Sequence, residues 1–313
     1  MSAYRPKISL NLGAGAARGY AHIGVLRALK EHRIPFDFII GVSMGAFIGS
    51  IYAMEPDVDF TEERALDLLD SENFKDTIVA NYYNMMESEQ AGFFHKLSTL
   101  YTKTGLMGRI FLSPGMLSLE EVENALFPYL PNLNIENTRF PFAAVSVDLE
   151  KGKSKIFTKG PMRPIVMSSM AMPVVFPPIE VEKSRYVDGG VLDKVGIDSA
   201  ETLGIRKIIA VDVSNEAAND GMSESLVKTG VDVMLRTEEI ASQYRRERQL
   251  NRATITLMPI KGNIHWADYG AAREMIDTGY EYTISRIGEI RHQLKLIHPV
   301  KKLFFFFTRN KKY

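Results

Sequence analysis

Phe38 to Met54 is a run of 17 residues without one charged side chain, and it constrains the chain more than any other stretch. Its length sits at the lower edge of what can span a bilayer. Gly41, Ser43, Gly45 and Gly49 lie inside it, however, and Asp37 stands at its start. The first part, Phe-Ile-Ile-Gly-Val, has the branched and aromatic content of a strand. The second part, Met44 to Met54, has the length and composition of a helix buried on all sides. A strand and a helix that are both buried, joined by one tight turn, require a layered α/β arrangement.

The same alternation recurs along the chain. Apolar runs at 7–12, 36–42, 142–148, 207–213 and 254–258 predict strands. Helical patterns fall at 19–32, 44–54, 61–69, 119–127, 164–170, 197–203, 223–248 and 268–294. Strands separated by helices imply a mostly parallel central sheet with helices on both faces, three layers in all. No internal repeat and no Ser/Gly-rich linker divides the sequence. We read one domain over 1–313, with a core at about 7–215 and a C-terminal strand and helices at 221–294. A basic aromatic tail at 295–313 follows.

The turn at the centre of the uncharged window is Gly41-Val42-Ser43-Met44-Gly45. Gly-x-Ser-x-Gly between a strand and a helix is the setting of a nucleophile elbow, where a serine hydroxyl stands exposed at a helix N-terminus. A serine that merely caps a helix would look similar. The first strand ends in a second unusual turn, Gly13-Ala14-Gly15-Ala16-Ala17-Arg18-Gly19. Such a loop aims backbone N–H groups at one point and suits an anion. A dinucleotide loop is the rival, but Arg18 stands where the third glycine of Gly-x-Gly-x-x-Gly belongs. With a serine turn following, the loop reads better as an oxyanion hole.

A serine nucleophile needs a proton acceptor. Among six histidines, His22 lies in the helix after the glycine loop. His265, beside Trp266, is the one candidate for a Ser–Asp–His order. Tyr186-Val187-Asp188-Gly189-Gly190 offers a carboxylate flanked by two glycines. By itself that is also an ordinary Asp-Gly turn.

Taken together and in order, these segments resemble the patatin-like phospholipase family. The likeness runs through Gly13 to Gly19, Ala21 to Leu26, Gly41 to Gly45, Ser168 to Pro173, Phe176 to Pro178, Asp188 to Gly190, and Ile209 to Val213. It is looser from Asp268 to Glu281. The resemblance implies the three-layer patatin-like fold and a Ser–Asp dyad, with Ser43 as nucleophile and Asp188 as base. It places the oxyanion hole at Gly15 and Ala16, with Arg18 at the loop's basic position. Gly13, Gly19, Gly41, Gly45, Gly189 and Gly190 would shape the supporting turns. Its substrates would be acyl esters of lipids, phospholipid or lysophospholipid. Ala14 and Ala16 replace glycines common in that loop, and Lys194-Val195-Gly196 replaces a frequent Asn-x-Pro.

An aspartate of ordinary pKa ~3.9 is a weaker base than a histidine of ~6.5, a deficit of about 3.5 kcal/mol. Burial beside the glycines is expected to raise that pKa, and each oxyanion donor adds about 3–4 kcal/mol of transition-state stabilisation.

Lys+Arg and Asp+Glu both total 38, which argues against a nucleic-acid partner. The absence of cysteine excludes a thiol nucleophile, a disulfide scaffold and thiolate metal sites. No metal-ligand spacing appears, so neither metal nor cofactor is expected. No signal-peptide core and no transmembrane span are read, which suggests cytoplasm or the inner membrane surface. Asn81 to Met116 is dense in Met, Tyr and Phe, and reads either as a lid over acyl chains or as a helical insertion. Ile290 to Tyr313 carries seven cations around Phe304 to Phe307 and no acid. Lys301–Lys312 therefore suits an anionic membrane surface, and docking of those phenylalanines on the domain is the other reading. Both apolar segments also offer surface for a homodimer.

Overall fold

The computed structural model describes residues 7–74, 113–214, 230–260 and 268–296. Most of the Met- and aromatic-rich segment 81–116, His265 and the basic tail from 297 onward lie outside the described residues. The β-strands are β1 (Ile8–Leu12), β2 (Phe38–Val42), β3 (Phe142–Asp148), β4 (Lys153–Phe157), β5 (Ile179–Val181), β6 (Ser184–Asp188), β7 (Lys207–Val211) and β8 (Ile255–Leu257). The principal helices are α1 (Ala21–Glu31), α2 (Met44–Met54), α3 (Val58–Asp70), α4 (Leu119–Leu126), α5 (Met162–Met170), α6 (Ile197–Thr202), α7 (Gly230–Leu250) and α8 (Ala272–Gln293).

The strands form one sheet in the order β5-β6-β3-β2-β1-β7-β8, with β4 also paired to β3. β1, β2, β3, β7 and β8 are parallel to one another. Every residue of β1, β2 and β3 is buried; β2 therefore reads as an unbroken apolar run, whereas β1 alternates, with Ser9 and Asn11 buried between Ile8, Leu10 and Leu12. Leu10, Leu12, Ile39, Ala144, Ile209 and Val211 face a core that α1, α2 and α8 cover. Ile40, Val42, Ala143, Val145, Ile208 and Ala210 face Val195, Ile197 and Ala200 at α6. Helices therefore cover both faces. Ten residues of α2 are buried, so the uncharged window is a strand and a helix inside the molecule. No helix among the described residues is long and apolar enough to cross a membrane.

Two of the strands, β4 and β5, do not appear in the sequence reading, and with β6 they depart from parallel pairing. β4 is Lys-Ser-Lys-Ile-Phe, polar and half-exposed, the composition of an edge strand rather than a core one. β5 has only three residues. The connections explain the direction. β5 and β6 are joined by Glu182 and Lys183 at φ 51° and 68°, the positive values of a two-residue hairpin turn. A loop so short can join only antiparallel neighbours.

β3 has a third partner, and this arrangement builds the site. Residues 144–148 pair with β4 along one edge. On the other edge β2 covers 142–145, and β6 covers 146–148. β6 thus takes over where β2 leaves, with Val42 opposite Val145 and Asp188 opposite Ser146. The residue after Val42 is Ser43.

The C-terminal helix belongs to the same packing. Gly24 of α1 and Gly279 of α8 face each other's backbones so closely that a Cβ at Gly24 would stand 1.9 Å from Ile276 O. A Cβ at Gly279 would stand 2.1 Å from Ala21 O. Only glycines permit that crossing. Gly279→Ala is expected to lower stability by about 3 kcal/mol or more, the range of severe overpacking, in urea unfolding followed by far-UV circular dichroism. Gly288→Ala on the same helix, where nothing lies within 4 Å, is expected to be neutral or to gain up to about 1 kcal/mol.

Candidate active site

Ser43 is the single residue between β2 and α2, at φ 55° and ψ −123°. For a residue with a Cβ this left-handed backbone is strained by about 1–3 kcal/mol, and its surroundings hold it there. A Cβ at Gly41 would lie 2.4 Å from Ala46 Cα, and one at Gly45 would lie 2.0 Å from Leu12 O. The two glycines let α2 fold back directly over the end of β1. The carbonyl of Ser43 accepts the N–H groups of Ala46 (2.8 Å) and Phe47 (3.1 Å), which starts the helix. The serine side chain is thereby fixed at the positive end of α2.

Asp188 ends β6 and is 7% exposed. Its carboxylate accepts the N–H of Gly190 at 2.7 Å, and the Ser43 side chain lies near enough to favour its ionised form. A Cβ at Gly189 would stand 2.3 Å from Val145 O, so the turn after Asp188 lies flat against β3. Burial pushes the Asp188 carboxyl up to about 6, against the opposing pull of the Ser43 hydroxyl, the Gly190 N–H and the positive Lys194. The carboxylate expected from the sequence to be a poor base therefore sits in a setting that makes it a better one.

The glycine loop lies beside both. The N–H groups of Gly13 and Ala14 are held by Val211 O (3.0 Å) and Lys194 O (2.9 Å), and that of Arg18 by Gly15 O (3.1 Å). Among the described residues, the amides of Gly15 and Ala16 make no backbone hydrogen bond. A Cβ at Gly19 would fall 2.3 Å from Met44 Cγ, so the loop packs on the residue after Ser43. A Cβ at Gly190 would fall 3.1 Å from Ala14 Cβ, so the loop also touches the Asp188 turn. Ala16 holds φ 47°, a conformation that suits the glycine it replaces. Arg18 is half-buried and within electrostatic reach of Lys194.

Three turns at the ends of β1, β2 and β6 thus meet at one place. They supply a hydroxyl, a carboxylate that titrates near neutrality and two amides without backbone partners, the parts that acyl transfer requires.

His22 is fully buried under the loop, and its Nε2–H donates to Gly13 O at 2.8 Å. Burial pushes its pKa down to about 4, so it props the loop as a neutral ring. Sequence reasoning missed two contributors. Lys194, noticed as a departure from the family's pattern, supports the loop through its carbonyl and brings positive charge near Asp188. Ser169 hydrogen-bonds to the Ser43 backbone, and no periodicity marks it. The chain that follows Lys194 is held firmly: Asn11 Nδ2 donates to Gly196 O at 2.6 Å, and the Asp193 carboxylate caps α6 through Ser199 N at 2.8 Å. Among the described residues no cluster of three His, Asp or Glu side chains could hold a metal ion.

Comparison with known proteins identifies the family. A family model described as "Patatin-like phospholipase" matches residues 10–201. An "Uncharacterized NTE family protein" of Mycobacterium tuberculosis is 30% identical over 216 residues, 69% of this chain and 51% of that protein. The chain thus spans about half the length of these relatives. "Lysophospholipase NTE1" of Pyricularia oryzae is 23% identical over 307 residues, 91% of this chain and 19% of that protein. Among solved structures, VipD from Legionella pneumophila aligns over 92% of this chain and 68% of its own, with a TM-score of 0.46 and 16% identity. The family match covers more than half of the chain and contains all three turns of the site: the chain belongs to the patatin-like phospholipase family.

Proposed function

We propose that this chain is a serine lipid acyl hydrolase of the phospholipase A or lysophospholipase type. The observation that carries the reading is the register that ends β2 and β6 on neighbouring residues of β3, Val145 and Ser146, and so brings Ser43 beside Asp188 at the glycine loop. Ser43 Oγ attacks the ester carbonyl as Asp188 takes its proton. The carbonyl oxygen gains charge beside the Gly15 and Ala16 amides, and the Arg18 side of the loop adds positive potential. Collapse of the tetrahedral intermediate expels the alcohol, which receives the proton from Asp188. Water, activated by the same carboxylate, then releases the fatty acid and restores Ser43.

An Asp188 pKa near 6 recovers about 2 of the roughly 2.6 units that separate an ordinary aspartate from a histidine, close to 3 kcal/mol of proton-transfer driving force. The name of the fungal relatives makes single-chain phospholipids the first substrates to test. The cationic segment Lys301–Lys312 would hold the enzyme at an anionic bilayer that contains them.

Ser43→Ala and Asp188→Asn are each expected to lower fatty-acid release by at least about 10³-fold. The assay uses p-nitrophenyl esters of several chain lengths and lysophospholipid micelles. Wild-type turnover by either variant would remove that residue from the mechanism. His265→Ala is expected to change turnover less than about twofold, whereas a Ser–Asp–His triad requires a loss as large as that of Ser43→Ala.

Because the base must be ionised, kcat/KM is expected to fall tenfold per pH unit below about 6 and to level above it. The same shift has a stability consequence of definite sign. A carboxyl whose pKa is raised in the folded state stabilises the fold below its unfolded pKa, and that contribution is lost as pH rises through about 6. Asp188→Asn should therefore be more stable than wild type at pH 8, by up to about 3 kcal/mol. The advantage should vanish below pH 4. Thermal melts at the two pH values measure it.

A further inference from the structure

Ser169 lies on the last turn of α5, fully buried. Its hydroxyl accepts the Ser43 N–H at 3.0 Å and donates to Val145 O at 2.6 Å. The strand register shows what this contact replaces. Between parallel strands, every second residue of one strand donates to its neighbour. Ile39, opposite Phe142, donates to Pro141 O at 2.9 Å. Two residues on, Gly41 faces Ala143 O, and the next donor in the series is Ser43, facing Val145 O. At that rung the hydroxyl of Ser169 stands between donor and acceptor. It satisfies both groups while keeping the strands one hydroxyl apart. The chain leaves the ladder there, at φ 55°. The same turn of α5 reaches the other partner, since Ala171 O accepts the Asp188 N–H at 2.9 Å.

We propose that Ser169 is a positioning residue, a hydroxyl inserted at the last rung of the β2–β3 ladder that holds Ser43 out of strand register and within reach of Asp188. This rests on the reading of Ser43 and Asp188 as the reacting pair. Without the hydroxyl, Ser43 N–H and Val145 O are drawn into the direct rung, and the Ser43 side chain moves off the carboxylate. The Ser43 hydroxyl lowers the Asp188 pKa where it stands, so moving it away raises that pKa further.

The test compares wild type with Ser169→Ala and with Ser168→Ala. Ser168 is a neighbouring buried hydroxyl that bonds Ile165 O (2.7 Å) and Ser146 Oγ (2.8 Å) rather than the elbow. Two quantities are measured per folded molecule: kcat and KM on a p-nitrophenyl ester across pH, and the Asp188 titration itself. The titration is followed by carboxyl ¹³C NMR and assigned with Asp188→Asn. Ser169→Ala is expected to lower kcat by about 10–100-fold with KM little changed, the scale of a displacement near 1 Å. It should move both the acid limb and the Asp188 titration to higher pH. Ser168→Ala should leave the limb and the titration where they are.

If Ser169→Ala does not fold, Ser169→Cys gives the same readout, because a thiol is a longer and weaker donor at the rung. Wild-type kcat and an unmoved titration in either folded variant overturn the proposal, as does a loss of activity that only tracks the folded fraction. If the wild type hydrolyses no ester, the proposed function fails, while the titration still decides whether Ser169 positions the pair.

Discussion

The edge of β3 is shared end to end by two strands that arrive from opposite directions. β2 occupies it as far as Val145, and β6 begins at Ser146. Two chain ends that meet head to head on one edge leave their last residues adjacent, with no loop required to reach across. That register places a hydroxyl and a carboxylate 145 positions apart in sequence side by side, and it does so with main-chain pairing. The side chains inherit the rigidity of the sheet, the most ordered scaffold a protein can lend to a reacting pair.

Four unfavourable features meet at this junction: a serine with positive φ, an alanine with positive φ in the loop, a buried aspartate and a buried histidine. Each is held by neighbours that leave no alternative. The glycines at 41, 45, 19 and 189 are sites of backbone or side-chain approach too close for a Cβ, so the turns interlock rather than merely adjoin. The apolar core on both sheet faces supplies the stability that offsets this strain.

Much of this was legible in the sequence, and the reason differs by element. β2, β7 and most of β3 are buried on both faces and announce themselves as apolar runs, while β1 shows through the alternation of Ile8, Leu10 and Leu12 with Ser9 and Asn11. α2 appears at its observed bounds because it too is apolar all round. Ser43, the glycine loop and Asp188 each had a plain structural reading as well; the strand-turn-helix setting raised the functional one for Ser43, the serine turn that follows raised it for the loop, and only the order of the segments raised it for Asp188. β4 was not legible because an edge strand with lysines carries no buried pattern. Ser169 was not legible for a different reason: its importance lies in a hydrogen-bond rung that exists only when β2, β3 and α5 are assembled. Lys194 stood out as a deviation, and the fold shows what occupies that place.

The match to the family ends at Glu201, yet the helix that presses on the start of α1 comes from far beyond it. Gly279 rests against the carbonyl of Ala21, the first residue after the glycine loop's short helical turn. The floor of the glycine loop is thus furnished by a segment that lies beyond the stretch the family model matches. A piece of this chain cut at Glu201 would therefore lack the surface on which the start of α1 rests.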